Sequence, residues 1–166
     1  MKILLIILAL AWAGLLVCVP ARPGSADTRT TTERAIAVVC PGREHLAAHV
    51  DEAARRYMVP RLHLVAMIWH ESRCSAVAIG KAGEVGLMQL LGVARNGLTR
   101  RRLLDPRTNI LTGARWLSLR EVDCGGKAAG LSGYNARSCS GGMRYARRVL
   151  ATVRRIRLTL LQDGVM

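Results

Sequence analysis

The chain has 166 residues, enough for one domain with a single core. Its 25 lysines and arginines against 11 acidic residues give a formal charge of +14, which favours polyanionic partners: nucleic acid, anionic lipid or a carboxylate-bearing wall polymer. The absence of phenylalanine and the presence of only three tyrosines leave few stacking platforms for single-stranded nucleic acid, so no nucleic-acid partner is expected.

Met1-Lys2, the apolar run Ile3 to Val19 and the small residues Gly24-Ser25-Ala26 read as a secretory signal peptide over residues 1–26. Val19-Pro20-Ala21 is a second cleavage site. The chain is then periplasmic or secreted; left uncleaved, the run would anchor it in the inner membrane. Cys18 follows the bulky Val17, where a lipoprotein signal needs a small residue. Cleavage removes only Lys2 and Arg22 among the charges, which leaves +12. Four cysteines remain: Cys40, Cys74, Cys124 and Cys139. In an exported chain they predict two disulfides, with three possible connectivities. Their spacing contains no CxxC, so a structural metal site is not expected.

Residues 27–40 are polar and threonine-rich before a short apolar run, and read as a tether into a domain over residues 41–162. Thr30 and Glu33 have capping-box spacing. From Pro41 to Met58 the apolar positions Leu46, Val50, Ala53 and Tyr57 predict a first helix. His45 and His49 lie four apart on it, without a third ligand in view. Pro60 opens a second helix through Leu62, Leu64, Val65, Met67 and Ile68 to Glu71. Helices joined by so short a turn lie antiparallel, which brings the start of the first to the end of the second. The favoured disulfides are therefore Cys40–Cys74 and Cys124–Cys139.

Glu71 stands where a hydrophobic residue belongs. Leu64, Met67 and Ile68 precede it by seven, four and three positions, so the carboxylate continues a core-facing stripe. Desolvation there raises a carboxyl pKa towards the range of a general acid. His70-Glu71 also begins a zinc-protease pattern, but the second histidine position is Cys74. Val77-Ala78-Ile79 and Val85 to Leu90, around the turn Gly80 to Gly83, predict a small β-region walling a cleft.

Arg100-Arg101-Arg102 read as solvated surface, and Asp105 and Asn109 as turn or cap residues. A helix with Ile110, Ala114 and Leu117 inward runs to about Val122, and a short one spans Ala128 to Asn135. The last helix, about Met143 to Leu161, sets Tyr145, Val149, Val153, Ile156 and Leu160 on one side and arginines elsewhere. Its basic amphipathic character suits a domain helix with a cationic face, and allows weak membrane association.

Three blocks occur in order: Glu71-Ser72 with Gly86-Leu87-Met88-Gln89; Asp105-Pro106 with Asn109-Ile110 and Gly113-Ala114; and Tyr134-Asn135-Ala136. Over about residues 44–151 the chain resembles the catalytic domain of soluble-type lytic transglycosylases, the goose-lysozyme-like family that cuts peptidoglycan. In size it is similar to small members that accompany secretion and conjugation machines, which makes such a machine an expected partner beside peptidoglycan. The resemblance implies a mainly α, lysozyme-like (α+β) fold with a small β-region beside the cleft. It also implies cleavage of the β-1,4 bond between N-acetylmuramic acid and N-acetylglucosamine, without cofactor or metal.

Residue by residue, Glu71 matches the single catalytic acid/base, Gln89 a substrate contact, and Tyr134 the tyrosine that hydrogen-bonds the catalytic carboxylate. Ser72, Met88 and Asn135 match positions that line or support the site. Three departures stand out. Ser75-Ala76 replaces Asn-Pro, Gly80 replaces a serine that positions the N-acetyl group in some members, and Arg137-Ser138-Cys139 replaces Gly-Pro-Gly.

Glycoside hydrolysis ordinarily takes two carboxylates. Among the acids near Glu71 in sequence, Glu84 alone falls inside the expected cleft wall. A one-carboxylate site works if the sugar supplies the nucleophile, and the resemblance implies this outcome, with 1,6-anhydro ends. The alternatives are a hydrolytic muramidase using Glu71 and Glu84, and a non-catalytic wall-binding protein.

Overall fold

Helix α3 (Arg61–Ser72) is buried from Leu62 to Ile68 on every face. A helix buried on every face sits inside a fold, and here other helices pack around it. A computed structural model of the protein describes residues 28–166; the expected signal peptide lies outside the described residues. Around α3 are α1 (Thr31–Val39), α2 (Ala47–Tyr57), α4 (Arg100–Leu103), α5 (Pro106–Asp123), α6 (Lys127–Ala136) and α7 (Met143–Gln162). Helix α3 packs against α1, α2 and α7, while α5 packs against α2 and α6, and α6 against α7.

The expected tether is instead a core helix. Thr32, Ala35, Ile36 and Val39 of α1 are buried, at the spacing of one helical face. The Thr30–Glu33 capping box forms, and the Thr32 hydroxyl donates to Asp51 on α2 at 2.7 Å. The polar lead-in to that face disguised it in the sequence. The first expected helix is also shorter than its apolar spacing suggested. A 3₁₀ turn at Glu44–Leu46 precedes α2, which stops at Met58 with a left-handed φ of 55°. Two disulfides form as expected: Cys40–Cys74 ties the ends of α1 and α3 (Cα–Cα 5.9 Å), and Cys124–Cys139 ties α5 to the loop after α6 (5.3 Å).

The expected β-region is absent among the described residues. Residues 75–90 make only isolated bridges, Ile79 with Val85 and Val85 with Leu90. Two tight turns interrupt the segment before a ladder can extend: Gly83 N–H donates to Gly80 C=O, and Gln89 N–H to Gly86 C=O. Gly83, Gly86 and Gln89 all adopt positive φ.

Asn109, expected as a turn or cap residue, is what fastens this wall. It is 1% exposed. Its Nδ2 donates to Val85 C=O (2.9 Å) and Leu103 C=O (2.8 Å), and its Oδ1 accepts from Met88 N–H (2.7 Å). Asp105 is the true cap of α5, accepting from Thr108 N–H at 2.8 Å. A side chain on Gly86 would stand 2.3 Å from the Asn109 amide, so the glycine and the asparagine fit as a pair.

Helix α7 buries Tyr145, Ala146, Val149, Val153, Ile156 and Leu160. Its apolar face therefore serves the core and is not available to lie on a lipid surface, while its arginines face outward. Among the described residues no helix is long and apolar enough to cross a membrane.

Replacing Asn109 by alanine takes a donor from the Leu103 and Val85 carbonyls, the second of which still accepts from Leu90 N–H, and leaves the buried Met88 N–H without its partner. Urea unfolding of Asn109→Ala should show a loss of about 3 kcal/mol. Asp105→Ala, which removes one exposed cap, should cost about 1 kcal/mol.

Candidate active site

The end of α3, the wall at residues 80–91 and the facing surfaces of α5 and α6 enclose a cleft of about 400 Å³. Glu71 lies in it, on the last turn of α3. The Tyr145 hydroxyl, brought by α7, donates a short hydrogen bond to Glu71 Oε1. Burial pushes the Glu71 carboxyl up from 4.5 to about 7, and the nearby charge of Glu84 pushes the same way. The Tyr145 hydrogen bond and the Arg148 charge oppose the rise, because both favour the ionised form. Glu71 is thus poised to hold a proton near neutrality and to release it to a leaving group. Burial holds the Tyr145 hydroxyl well above its usual pKa, with the Glu71 charge adding to the effect, so it remains a donor.

Tyr134 does not make the hydrogen bond expected of it. Its hydroxyl donates to Met88 C=O at 2.7 Å, and its ring lines the cleft. It braces the wall, and Tyr145 takes the carboxylate. Both tyrosines fall near Glu71 in space, and only the path of α7 decides which one reaches it. The sequence held one clue: Tyr145 sits in an apolar helical stripe, and a buried tyrosine hydroxyl needs a partner.

Gln89 is held in a left-handed conformation (φ 46°). Its Nε2 donates to Gly86 C=O (2.9 Å) and Ala78 C=O (3.3 Å). Since both partners are acceptors, the amide nitrogen faces them and Oε1 is left as an acceptor on the cleft side. Glu84 also lines the cleft, with Oε2 accepting from Ala82 N–H at 3.0 Å. This carboxylate lies over Gly80: a Cβ there would stand 2.2 Å from Glu84 Oε2 and 2.8 Å from Gln89 Oε1. With no side chain at position 80, the Glu84 carboxylate lies directly over the backbone there; a Cβ would make it shift. The wall it forms with Gln89 presents hydrogen-bond acceptors to a polyhydroxylated ligand.

Of the other expected site residues, Asn135 is exposed and lines the cleft. Ser72 and Met88 do not reach it. Ser72 is buried and its hydroxyl donates to Ile68 C=O of its own helix at 3.1 Å. Met88 is fully buried against Gly113, where a Cβ would stand 2.8 Å from the Met88 side chain. Both support the site through packing. Trp116 on α5 and the cations Lys81 and Arg137 also line it and were not among the expected site residues.

Residues 48–144 match the family model described as the transglycosylase SLT domain. The chain belongs to this family. SLT-domain proteins are lytic transglycosylases, lyases that act on peptidoglycan, and the matched residues include Glu71, the Gly86–Gln89 wall and Tyr134. Tyr145, which completes the carboxylate's hydrogen bonding, lies one residue past the match.

Two outcomes follow for this SLT domain. Tyr145→Phe removes a hydrogen bond that favours ionised Glu71, so the fall in activity with rising pH should move to higher pH while kcat drops roughly tenfold. Tyr134→Phe should leave that limb of the pH–rate profile in place. The second outcome concerns stability. Between pH 4.5 and about 7 the folded chain holds a Glu71 proton that the unfolded chain has released, so this group's contribution to stability falls as pH rises through that window. Glu71→Gln should therefore stabilise the protein more at pH 8 than at pH 4, by about 2–3 kcal/mol in unfolding experiments.

Proposed function

We propose that Glu71 acts alone as acid and then base in non-hydrolytic cleavage of peptidoglycan between N-acetylmuramic acid and N-acetylglucosamine. The observation that supports this most is the single carboxyl held near pKa 7 in the cleft and oriented by Tyr145. Protonated Glu71 gives its proton to the glycosidic oxygen as the C1–O bond breaks. The N-acetyl carbonyl of the muramic residue stabilises the positive charge at C1. Glu71, now ionised, takes the proton of the same sugar's C6 hydroxyl. The C6 oxygen bonds to C1, closing a 1,6-anhydro ring and regenerating the protonated acid. Gln89 Oε1 and Glu84 accept from sugar hydroxyl or amide groups along the wall.

One observation favours a second reading. Glu84 shares the cleft with Glu71, and a second carboxylate could activate water and make the enzyme a hydrolytic muramidase. Its anchorage to Ala82 N–H above Gly80 suits a wall acceptor better than a mobile base. Export after removal of residues 1–26, into the periplasm or beyond, agrees with two disulfides. Similarity in size to small members serving secretion and conjugation machines supports recruitment by an envelope-spanning assembly.

Mass spectrometry of digested peptidoglycan should show muramic ends lighter by one water than hydrolysed ends, and Glu71→Gln should abolish their formation while retaining the fold. Reducing muramic ends lost in Glu84→Gln would establish the muramidase instead, and turnover by Glu71→Gln would sink both readings.

A further inference from the structure

The cleft has two banks, the wall on one side and α5 with α6 on the other. Where both banks end, one side chain crosses between them. Arg137 follows directly on α6, in a left-handed conformation (φ 56°), and lines the cleft beside Tyr134 and Asn135. Its guanidinium lies against Gly92, the residue that follows the wall: a Cβ on that glycine would stand 3.0 Å from Arg137 Nη2. Leu91 and Val93, on either side of Gly92, line the cleft as well. Among the described residues Arg137 has no salt-bridge partner, so no carboxylate of the protein draws it away from the opening.

The two footings of this bridge are held in place. On the α6 side, Arg137 N–H donates to Gly133 C=O at 3.0 Å, and the Ser132 hydroxyl donates to Ser138 C=O at 3.0 Å. The Cys124–Cys139 disulfide fastens the chain two residues further on. On the wall side, Gly92 opens a 3₁₀ turn, Gly92–Arg95. Arg95 pins that turn by donating to Leu90 C=O at 3.3 Å and to Gly83 C=O. Gly92 itself has a φ of 55° and no side chain, which leaves the guanidinium its seat.

A glycan strand is far longer than a cleft of about 400 Å³. A strand cut in its middle must therefore leave the cleft at both ends. A side chain that crosses from bank to bank stands where the next sugar would pass. A strand terminus needs no such passage. The terminal sugar also presents a free hydroxyl where an internal sugar continues into its neighbour, and a guanidinium, which only donates, is matched to that acceptor.

Resting on the reading that peptidoglycan occupies the cleft, we propose that Arg137 bars one end of it, so that the enzyme releases short fragments from strand termini and does not cut strands internally. Arg137 is then a specificity-determining residue: it selects where along a strand Glu71 acts and takes no part in the proton transfers.

The test follows fragment length during the early digestion of long glycan strands by wild type, Arg137→Gly and Arg137→Lys. Glycine suits the left-handed backbone at this position, so Arg137→Gly should melt no lower than wild type. Wild type should release short fragments from the outset while the remaining strands shorten slowly. Arg137→Gly should give fragments several-fold longer at the same extent of reaction, as internal cuts become possible. Arg137→Lys, nearly as long a side chain, should keep the short products. Long fragments from wild type at the outset, or the same fragment lengths from wild type and Arg137→Gly, would overturn the bar. So would long fragments from Arg137→Lys, because the reach of the side chain would then not be what closes the cleft. Failure of wild type to cut any strand would instead reject the enzymatic reading on which the bar rests.

Discussion

The site depends on placing a carboxyl group at the end of a helix whose central residues, Leu64 to Ile68, are apolar and buried. Helix α3 is surrounded by α1, α2 and α7, and Glu71 inherits that low-dielectric setting at the point where the helix opens onto the cleft. Desolvation alone would keep the carboxyl protonated and make it a reluctant proton donor. The Tyr145 hydroxyl and the Arg148 charge restrain the rise, which holds the proton affinity near neutrality. Because Tyr145 comes from α7, the packing of the last helix on the third sets the proton affinity of the site.

The opposite wall is built without a sheet. Its shape comes from two turns with left-handed residues and from Asn109, which joins Val85, Met88 and Leu103 through three buried hydrogen bonds. Gly86 leaves room for that amide, and Gly80 leaves room for Glu84. The two glycines therefore do opposite work. One admits a structural side chain from behind the wall, and the other admits a carboxylate into the cleft. That carboxylate raises the proton affinity of Glu71 across the gap, so the Gly80–Glu84 pair and Glu71 are energetically coupled.

The basic character of the molecule gains a location in the same way. On α7 the apolar residues complete the core and the arginines remain outside. The two disulfides brace the regions on either side: Cys40–Cys74 closes the base of α3, and Cys124–Cys139 holds the loop between α6 and α7 that leads to Tyr145.

The helices α2, α3, α5, α6 and α7 were legible because their apolar residues recur at helical spacing, whereas α4 read only as a charged surface; Glu71 was legible because it breaks that pattern. The disulfide pairing followed from a turn too short to allow anything but antiparallel helices. What the sequence alone could not settle were the matters that depend on the meeting of distant segments. Helix α1 looked like a tether because its buried face is only four residues wide. The wall looked like strands because alternation survives in turns too tight to form a ladder. Asn109 looked like a cap because nothing local shows three backbone groups waiting for it, 6 to 24 residues away. Tyr134 was the expected partner of Glu71 and Tyr145 read only as part of an apolar stripe, yet hydroxyl reach across the core chose Tyr145, 74 residues from its partner. Local pattern determined that a desolvated acid would stand at the end of α3. Tertiary structure decided what that acid touches, since hydrogen bonds and charges act over a few ångströms in space, whatever the separation along the chain.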